Sequence, residues 1–284
     1  MTALTLLSAG VHTTVQDLGR RGWARSGVPL AGALDPAALV SANRAVGNAD
    51  GAAGLECVLR GPTLQADADC SVAVVGAGWS RGPERISAGV PYAVGRLPEG
   101  LRCWVAVSGG VVTEPVLGSR STDTLSGLGG QVLRDGDVLP LAAGTGAAGP
   151  APVPGPGLPL GELVTLRVTD GPHADRLQRP LDGAVFSVGV SSDRTALRFA
   201  GSPLTHAAAE IATIGVLPGS LQLPPDGLPI LLLANAQSTG GYPVVAVVCS
   251  ADLRLAAQLR PGADVRLHSI SLGRARELAA QAAV

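Results

Sequence analysis

The sequence predicts a mainly β protein in two halves with a few short helices, and three observations carry that expectation. Short apolar runs dominated by Val recur along the chain, closed by Gly, Pro, Asn or Asp. Its 284 residues include 39 Gly and 22 Pro, enough turn formers to interrupt strands repeatedly. Between two groups of runs, the stretch GTGAAGPAPVPGPGLPLGE at 144–162 is mostly Gly, Ala and Pro, which cannot hold a ladder of hydrogen bonds. The expected division is an N-terminal β-rich half at 1–143, a linker at 144–162 and a C-terminal β-barrel half at 163–284.

Strands are expected at CSVAVV (70–75), CWVAVS (103–108), LVTLRV (163–168), AVFSVGV (184–190), PILLLANA (229–236) and YPVVAVVC (242–249). Their β-branched side chains suit a pleated surface. The clearest helix is DPAALVSANRAVGN (35–48), where Asp35 can cap, Pro36 fits the first helical position and Gly47 can take the left-handed exit. Leu39, Asn43 and Val46 share one face, so Asn43 is either a buried hydrogen-bonded amide or a ligand to a substrate. Shorter helices are expected at 172–178, at 251–259 ahead of Pro261, and at 273–283. With 46% hydrophobic but only 2% aromatic residues, the core is built of Ala, Val and Leu.

Composition excludes several chemistries. The net charge is −1, with no basic block or aromatic series for nucleic acid. All 21 basic residues are Arg. Without a Lys there is no P-loop lysine, no Schiff base for pyridoxal phosphate and no covalent biotin on this chain. ATP, if used, must be held by Arg and backbone N–H groups or bound jointly with a partner protein. Cys57, Cys70, Cys103 and Cys249 form no CxxC pair and the four His are isolated, so no metal site is expected and the thiols read as buried and reduced. No leader pattern and no spanning run of ~18 apolar residues is visible, so a soluble, cytoplasmic protein is expected.

Two motifs tempt and fail. VAVVGAGWSRG (72–82) begins like a dinucleotide fingerprint, but Arg81 stands where the third glycine belongs and nothing helical follows. The same residues match GxSxG around Ser80 without the strand–turn–helix a nucleophile elbow requires. A β-turn is expected instead.

Three polar clusters interrupt the strands. HTTVQDLGRRGWARSGVPLAGALDP (12–36) gathers Gln16, Asp17, Arg20 and Asp35 among glycines that let a backbone approach a ligand. PVLGSRSTDT (115–124) offers Gly118, Ser119 and Arg120 as an anion cradle or an ordinary loop. LQLPPDGLPILLLANAQSTGGYPVVAVV (221–248) reads as a turn at Pro225–Gly227, an apolar strand to Gln237, a Gly240–Gly241 turn and a strand returning from Tyr242. Gln222, Asn235 and Gln237 are uncharged amides suited either to reading an amide or lactam or to capping strand ends.

Those three segments, together with Leu55-Glu56, Asp252 and AQLRPG, resemble in order the signatures of the allophanate hydrolase subunit 2 family. That family includes the C-type component of 5-oxoprolinase, the antagonist of a sporulation kinase inhibitor, and part of the urea amidolyase carboxyltransferase domain. The resemblance implies cyclophilin-like β-barrel architecture. Its implied partners are a smaller protein, allophanate hydrolase subunit 1 or KipI-like, and a third, A-type component of 5-oxoprolinase. The leading expectation is one component of an ATP-dependent 5-oxoprolinase, inactive alone, with Asp17, Arg20, Asp35 and Asp226 as catalytic candidates. Gln16, Asn43, Glu56, Ser119, Arg120, Gln222, Gln237, Thr239 and Tyr242 are its substrate-binding candidates. The alternatives are carboxyl transfer to a urea-like amide and a non-enzymatic antagonist of the kinase inhibitor. The chain departs from the family pattern at Asn235, Ser238 and 194–199.

Overall fold

The structure, a computed structural model, describes residues 2–144, 149–158, 161–206 and 211–282. It is mainly β and separates into two units, Met1–Arg21 with Ala31–Leu158, and Gly22–Leu30 with Pro159–Val284. No helix among the described residues is long and apolar enough to cross a membrane.

Unit 1 holds β1 (Thr2–Ser8), β2 (His12–Gln16), α1 (Pro36–Ala45), β3 (Gly54–Val58), β4 (Arg60–Ala66), β5 (Cys70–Gly76), β6 (Ser80–Ile86), β7 (Tyr92–Arg96), β8 (Arg102–Val107) and β9 (Val138–Leu141). They form two antiparallel sheets, β7-β4-β1-β9 and β2-β3-β8-β5-β6. Leu4, Leu6, Leu64 and Leu141 from the first meet Val15, Leu55, Val72 and Val105 from the second in one core. Helix α1 packs against β5 and β8, so β8 is buried at every residue and loses the apolar–polar alternation of a one-sided strand.

The helix begins as its sequence requires. Asp35 Oδ1 accepts from Ala38 N at 3.1 Å, Pro36 opens the first turn, and Gly47 has φ +72°. Asp35→Ala is expected to destabilise the chain by about 1 kcal/mol in denaturant unfolding. An unchanged midpoint would contradict the capping role. Residues 76–79 form the turn of the β5–β6 hairpin, with Gly76 N donating to Trp79 O at 2.9 Å, and no helix follows.

Within the Pro/Gly/Ala stretch at 144–162, residues 145–148 and 159–160 lie outside the described residues. Residues 149–155 are hydrogen-bonded to unit 1. Gly149 N donates to Ala45 O at 2.9 Å, Val153 N to Ser41 Oγ at 2.7 Å and Gly155 N to Gly76 O at 2.9 Å.

Unit 2 adds β10 (Val164–Asp170), β11 (Val185–Val188), β12 (Ala196–Ala200), β13 (Ile214–Gly215), β14 (Ser220–Gln222), β15 (Ile230–Leu232), β16 (Thr239–Gly240), β17 (Val244–Val248), α2 (Leu253–Ala256), β18 (Asp264–Ser269) and α3 (Leu272–Ala282). Seven strands close a barrel in the order β10-β17-β14-β15-β12-β11-β18, sealed by the parallel β10–β18 pair. Closure removes the exposed edges that an open sheet presents. Phe186 and Phe199, the only two Phe of the chain, stack in it with ring centroids 5.8 Å apart.

Three expectations are corrected here. The run at 229–236 and the strand from Tyr242 are not hairpin partners, because β14 lies between β15 and β17 and pairs with both. The tight turn is the Pro224–Gly227 one, which joins β14 to β15 with Gly227 N donating to Pro224 O at 3.0 Å. Gly240 instead pairs in β16 against β13. The helix expected at 172–178 is one 3₁₀ turn, Ala174–Arg176. That at 251–259 is a 3₁₀ turn, Ser250–Asp252, followed by the four-residue α2.

Candidate functional site

The first part of the opening stretch, residues 12–20, and the VLGSRST loop form a single assembly in unit 1. Strand β2 delivers Asp17 to the loop, where its carboxylate is 8% exposed. Oδ1 accepts from Gly19 N at 2.8 Å, Ser119 Oγ at 2.6 Å and Ser121 Oγ at 2.5 Å, and Oδ2 accepts from Arg120 N at 2.6 Å. Each hydroxyl also accepts in return, Ser121 Oγ from Asp17 N at 2.9 Å and Ser119 Oγ from Ser121 N at 3.0 Å. Burial alone would raise the Asp17 pKa. The hydrogen bonds from Ser119, Ser121, Arg120 N and Gly19 N outweigh it and hold the carboxyl below its ordinary value.

The expected anion cradle is therefore real in its geometry, and its anion is Asp17. Four donors of the protein itself thus engage the Asp17 carboxylate, three on Oδ1 and one on Oδ2.

Arg20 follows directly. It is 2% exposed; Nε donates to Val116 O at 3.4 Å and Nη2 to Ser121 O, while Nη1 is buried with no partner among the described residues. Burial lowers the pKa of the guanidinium, and the charges of Asp17 and Asp123 act against that. Gly129 makes the approach possible. At its φ of +75°, a Cβ would stand 2.0 Å from Ser121 O and 2.8 Å from Arg20 Nη2.

Gln16 and Glu56 lie on one face of the second sheet, because Thr14 is opposite Glu56 and Gln16 is opposite Gly54 in the β2–β3 register. Gln16 Nε2 donates to Thr14 Oγ1 and Thr122 O, both at 3.0 Å, leaving its buried Oε1 without a partner among the described residues. Glu56, in contrast, is occupied. Oε2 accepts from Leu34 N at 2.9 Å and Trp104 Nε1 at 3.0 Å, and Oε1 lies 3.5 Å from Arg102 Nε in a buried pair.

Three candidates are thus used by the fold. Glu56 is a buried ion-pair partner, Asp35 is the fully buried cap of α1, and Asn43 ties the turn after that helix. Asn43 Nδ2 donates to Ala52 O at 2.8 Å and Asp50 O at 3.3 Å, while its Oδ1 accepts from Asn48 Nδ2 at 3.1 Å. Arg120, beyond its amide, donates from Nε to Thr113 O at 2.8 Å.

In unit 2, Gln222 is 2% exposed and its Nε2 has no partner among the described residues. Gly240 lies against it, and a Cβ there would stand 2.4 Å from that nitrogen. Tyr242 is 41% exposed, and Gln237 and Thr239 are also exposed. Asp226 stands exposed in the β14–β15 turn, where Oδ1 accepts from Leu228 N at 3.0 Å, a bond typical of turn residues. Asn235 Oδ1 accepts from Arg194 Nη2 at 3.2 Å in a buried pair.

Sequence reasoning missed Ser121 and Gly129. Ser121 stands in the quoted motif, but only the fold shows its hydroxyl serving Asp17 and its carbonyl serving Arg20. The signal for Gly129 was the Gly129-Gly130 pair after the loop, where both residues have positive φ.

Comparison with known proteins gives a consistent picture. The family model for the carboxyltransferase domain, subdomains A and B, matches residues 26–269. The chain is 34% identical over 290 residues to the C-type component of the 5-oxoprolinase of Escherichia coli (strain K12), covering 95% of this chain and 92% of that protein. It is 32% identical over 296 residues to its counterpart of the same designation in Haemophilus influenzae, covering 97% and 94%. The crystal structure of the K. lactis urea amidolyase superposes on 99% of the chain with a TM-score of 0.88 at 27% identity, this chain spanning 19% of that one.

Proposed function

The chain belongs to the carboxyltransferase domain family of subdomains A and B, and from that premise we propose that it is one component of an ATP-dependent complex that opens 5-oxoproline to glutamate. Support comes from the two bacterial 5-oxoprolinase components that match it over nearly their whole length. The observation that carries the chemistry is the buried Arg20 Nη1, a permanently charged donor with no partner among the described residues.

A lactam resists hydrolysis because resonance leaves its carbonyl a poor electrophile. Phosphorylation of the carbonyl oxygen, with ADP leaving, removes that resonance. Water then adds at the carbon, the C–N bond breaks to free the amine, and hydrolysis of the acyl phosphate yields glutamate and phosphate. Arg20 Nη1 is suited to stabilise charge on the reacting oxygen, more effectively so where burial excludes water. The Ser119–Arg120 turn already holds Asp17, so the nucleotide phosphates would be carried by the small partner or by a third, A-type hydrolase component.

The fold match to urea amidolyase favours a second reading, carboxyl transfer to a urea-like amide. The two are separated by supplying the purified chain and its partners with ATP and 5-oxoproline, or with carboxybiotin and urea. Phosphate and glutamate are expected from the first mixture, and neither from this chain alone. Carboxylated urea from the second mixture, with no product from the first, would transfer the assignment to carboxyl transfer. Silence in both would favour the antagonist of a KipI-like regulator.

A further inference from the structure

We infer that Asp17 is a positioning residue that acts through Arg20, fixing two anchor points of its side chain so that the unpartnered Nη1 is held for the reacting oxygen. This rests on the reading of Arg20 given above. One anchor is the backbone where the side chain begins, since Asp17 Oδ1 takes the amide of Gly19, the residue before Arg20. The other is the carbonyl that receives Nη2, on Ser121, whose hydroxyl is bound to the same carboxylate oxygen. One carboxylate thus ties together residues about a hundred positions apart and sets the reach of the side chain between them.

Other features agree. Val116 and Ser119 close a tight turn through Val116 N to Ser119 O at 2.8 Å, and both central residues have positive φ, Leu117 at +53° and Gly118 at +80°. A leucine holds that conformation only where its surroundings over-determine it. The Asp17 bonds to Ser119 and Arg120 N supply that constraint, and the same turn presents Val116 O to Arg20 Nε. The depressed pKa of Asp17 keeps the clamp ionised at neutral pH, as a positioning role requires, and makes the carboxylate a weak base.

The test compares Asp17→Asn, Ser119→Ala and Ser121→Ala in the reconstituted complex, each alone and combined with Arg20→Lys. In the Asn variant an amide N–H₂ replaces one of the two acceptor oxygens, so the four-donor clamp cannot be kept intact. A shift of about 1 Å in a positioned group costs roughly 100-fold. Asp17→Asn is therefore expected to lower kcat by about 10- to 100-fold with KM changed less than about threefold, and the serine variants to follow by smaller factors. On the Arg20→Lys background all three should cost little more. Full multiplicative losses there, or serine variants at wild-type activity beside an Asp17→Asn variant that has lost all turnover, would overturn the role.

An activity-independent readout separates this from failure of the 5-oxoprolinase reading. In the chain alone, the Arg20 Nε–H NMR resonance, assigned by its loss in Arg20→Lys, is expected to shift and broaden in Asp17→Asn and Ser121→Ala. An unmoved resonance would refute the positioning role. A moved resonance in a complex inactive toward 5-oxoproline would refute only the substrate. The serine variants decide the matter if Asp17→Asn does not fold.

Discussion

Arg20→Lys is expected to lower kcat of the complete complex by about 100- to 1,000-fold, the cost of removing one preorganised donor from a reacting oxygen. The argument is geometric. The guanidinium donates from Nε to Val116 O and from Nη2 to Ser121 O and leaves Nη1 for the proposed contact, whereas an ammonium is a single point on a flexible stem. At 2% exposure the replacement also strips the Ser121 carbonyl of its guanidinium donor, so the unfolding midpoint should fall as well. Activity is therefore to be measured well below that midpoint. Near wild-type kcat in a folded variant would remove Arg20 from the chemistry.

The largest effect on stability is expected at Glu56. Glu56→Ala removes the acceptor of Trp104 Nε1 and Leu34 N and leaves the Arg102 charge without its carboxylate, where the two side chains are only 4% and 1% exposed. Breaking a buried pair on one side costs about 3–5 kcal/mol. Glu56→Gln, which keeps a carbonyl acceptor and the side-chain volume, should cost clearly less. Denaturant unfolding of the isolated chain measures both. A loss under about 1 kcal/mol in Glu56→Ala would return Glu56 to the substrate-binding candidates it resembled in sequence.

What could be read from the residues, and what could not, divides along the range of the interaction. Asp35, Pro36 and Gly47 announce α1 because caps and helix exits act within one turn of the chain. The valine runs announce strands, and the Pro225-Asp226-Gly227 turn is where its residue types predict. Strand order is a different matter. Nothing local to 229–249 says that Ser220–Gln222 will insert between its two strands, since that pairing is decided by closure of the barrel.

The site follows the same division. Gln16, Asp17, Arg20, Ser119 and Arg120 were legible as polar groups among glycines, a pattern that packing alone does not demand. Their division of labour was not legible. An aspartate and an anion cradle in separate segments look like a base and a binding site, and become clamp and clamped once Ser119, Ser121 and Arg120 N all converge on one carboxylate. Asn43 and Glu56 show the converse case, polar residues whose partners, the Asp50 and Ala52 carbonyls and Arg102, lie outside the motif that drew attention to them.

The most direct measurement is a titration of this chain into a fixed amount of its partners with ATP and 5-oxoproline, reading glutamate formed. The account predicts no glutamate from either side alone, a rise that saturates at a fixed stoichiometry with the wild-type chain, and a plateau roughly 100-fold or more lower with Arg20→Lys. Turnover by the partners without this chain, or an equal plateau with Arg20→Lys, would contradict it.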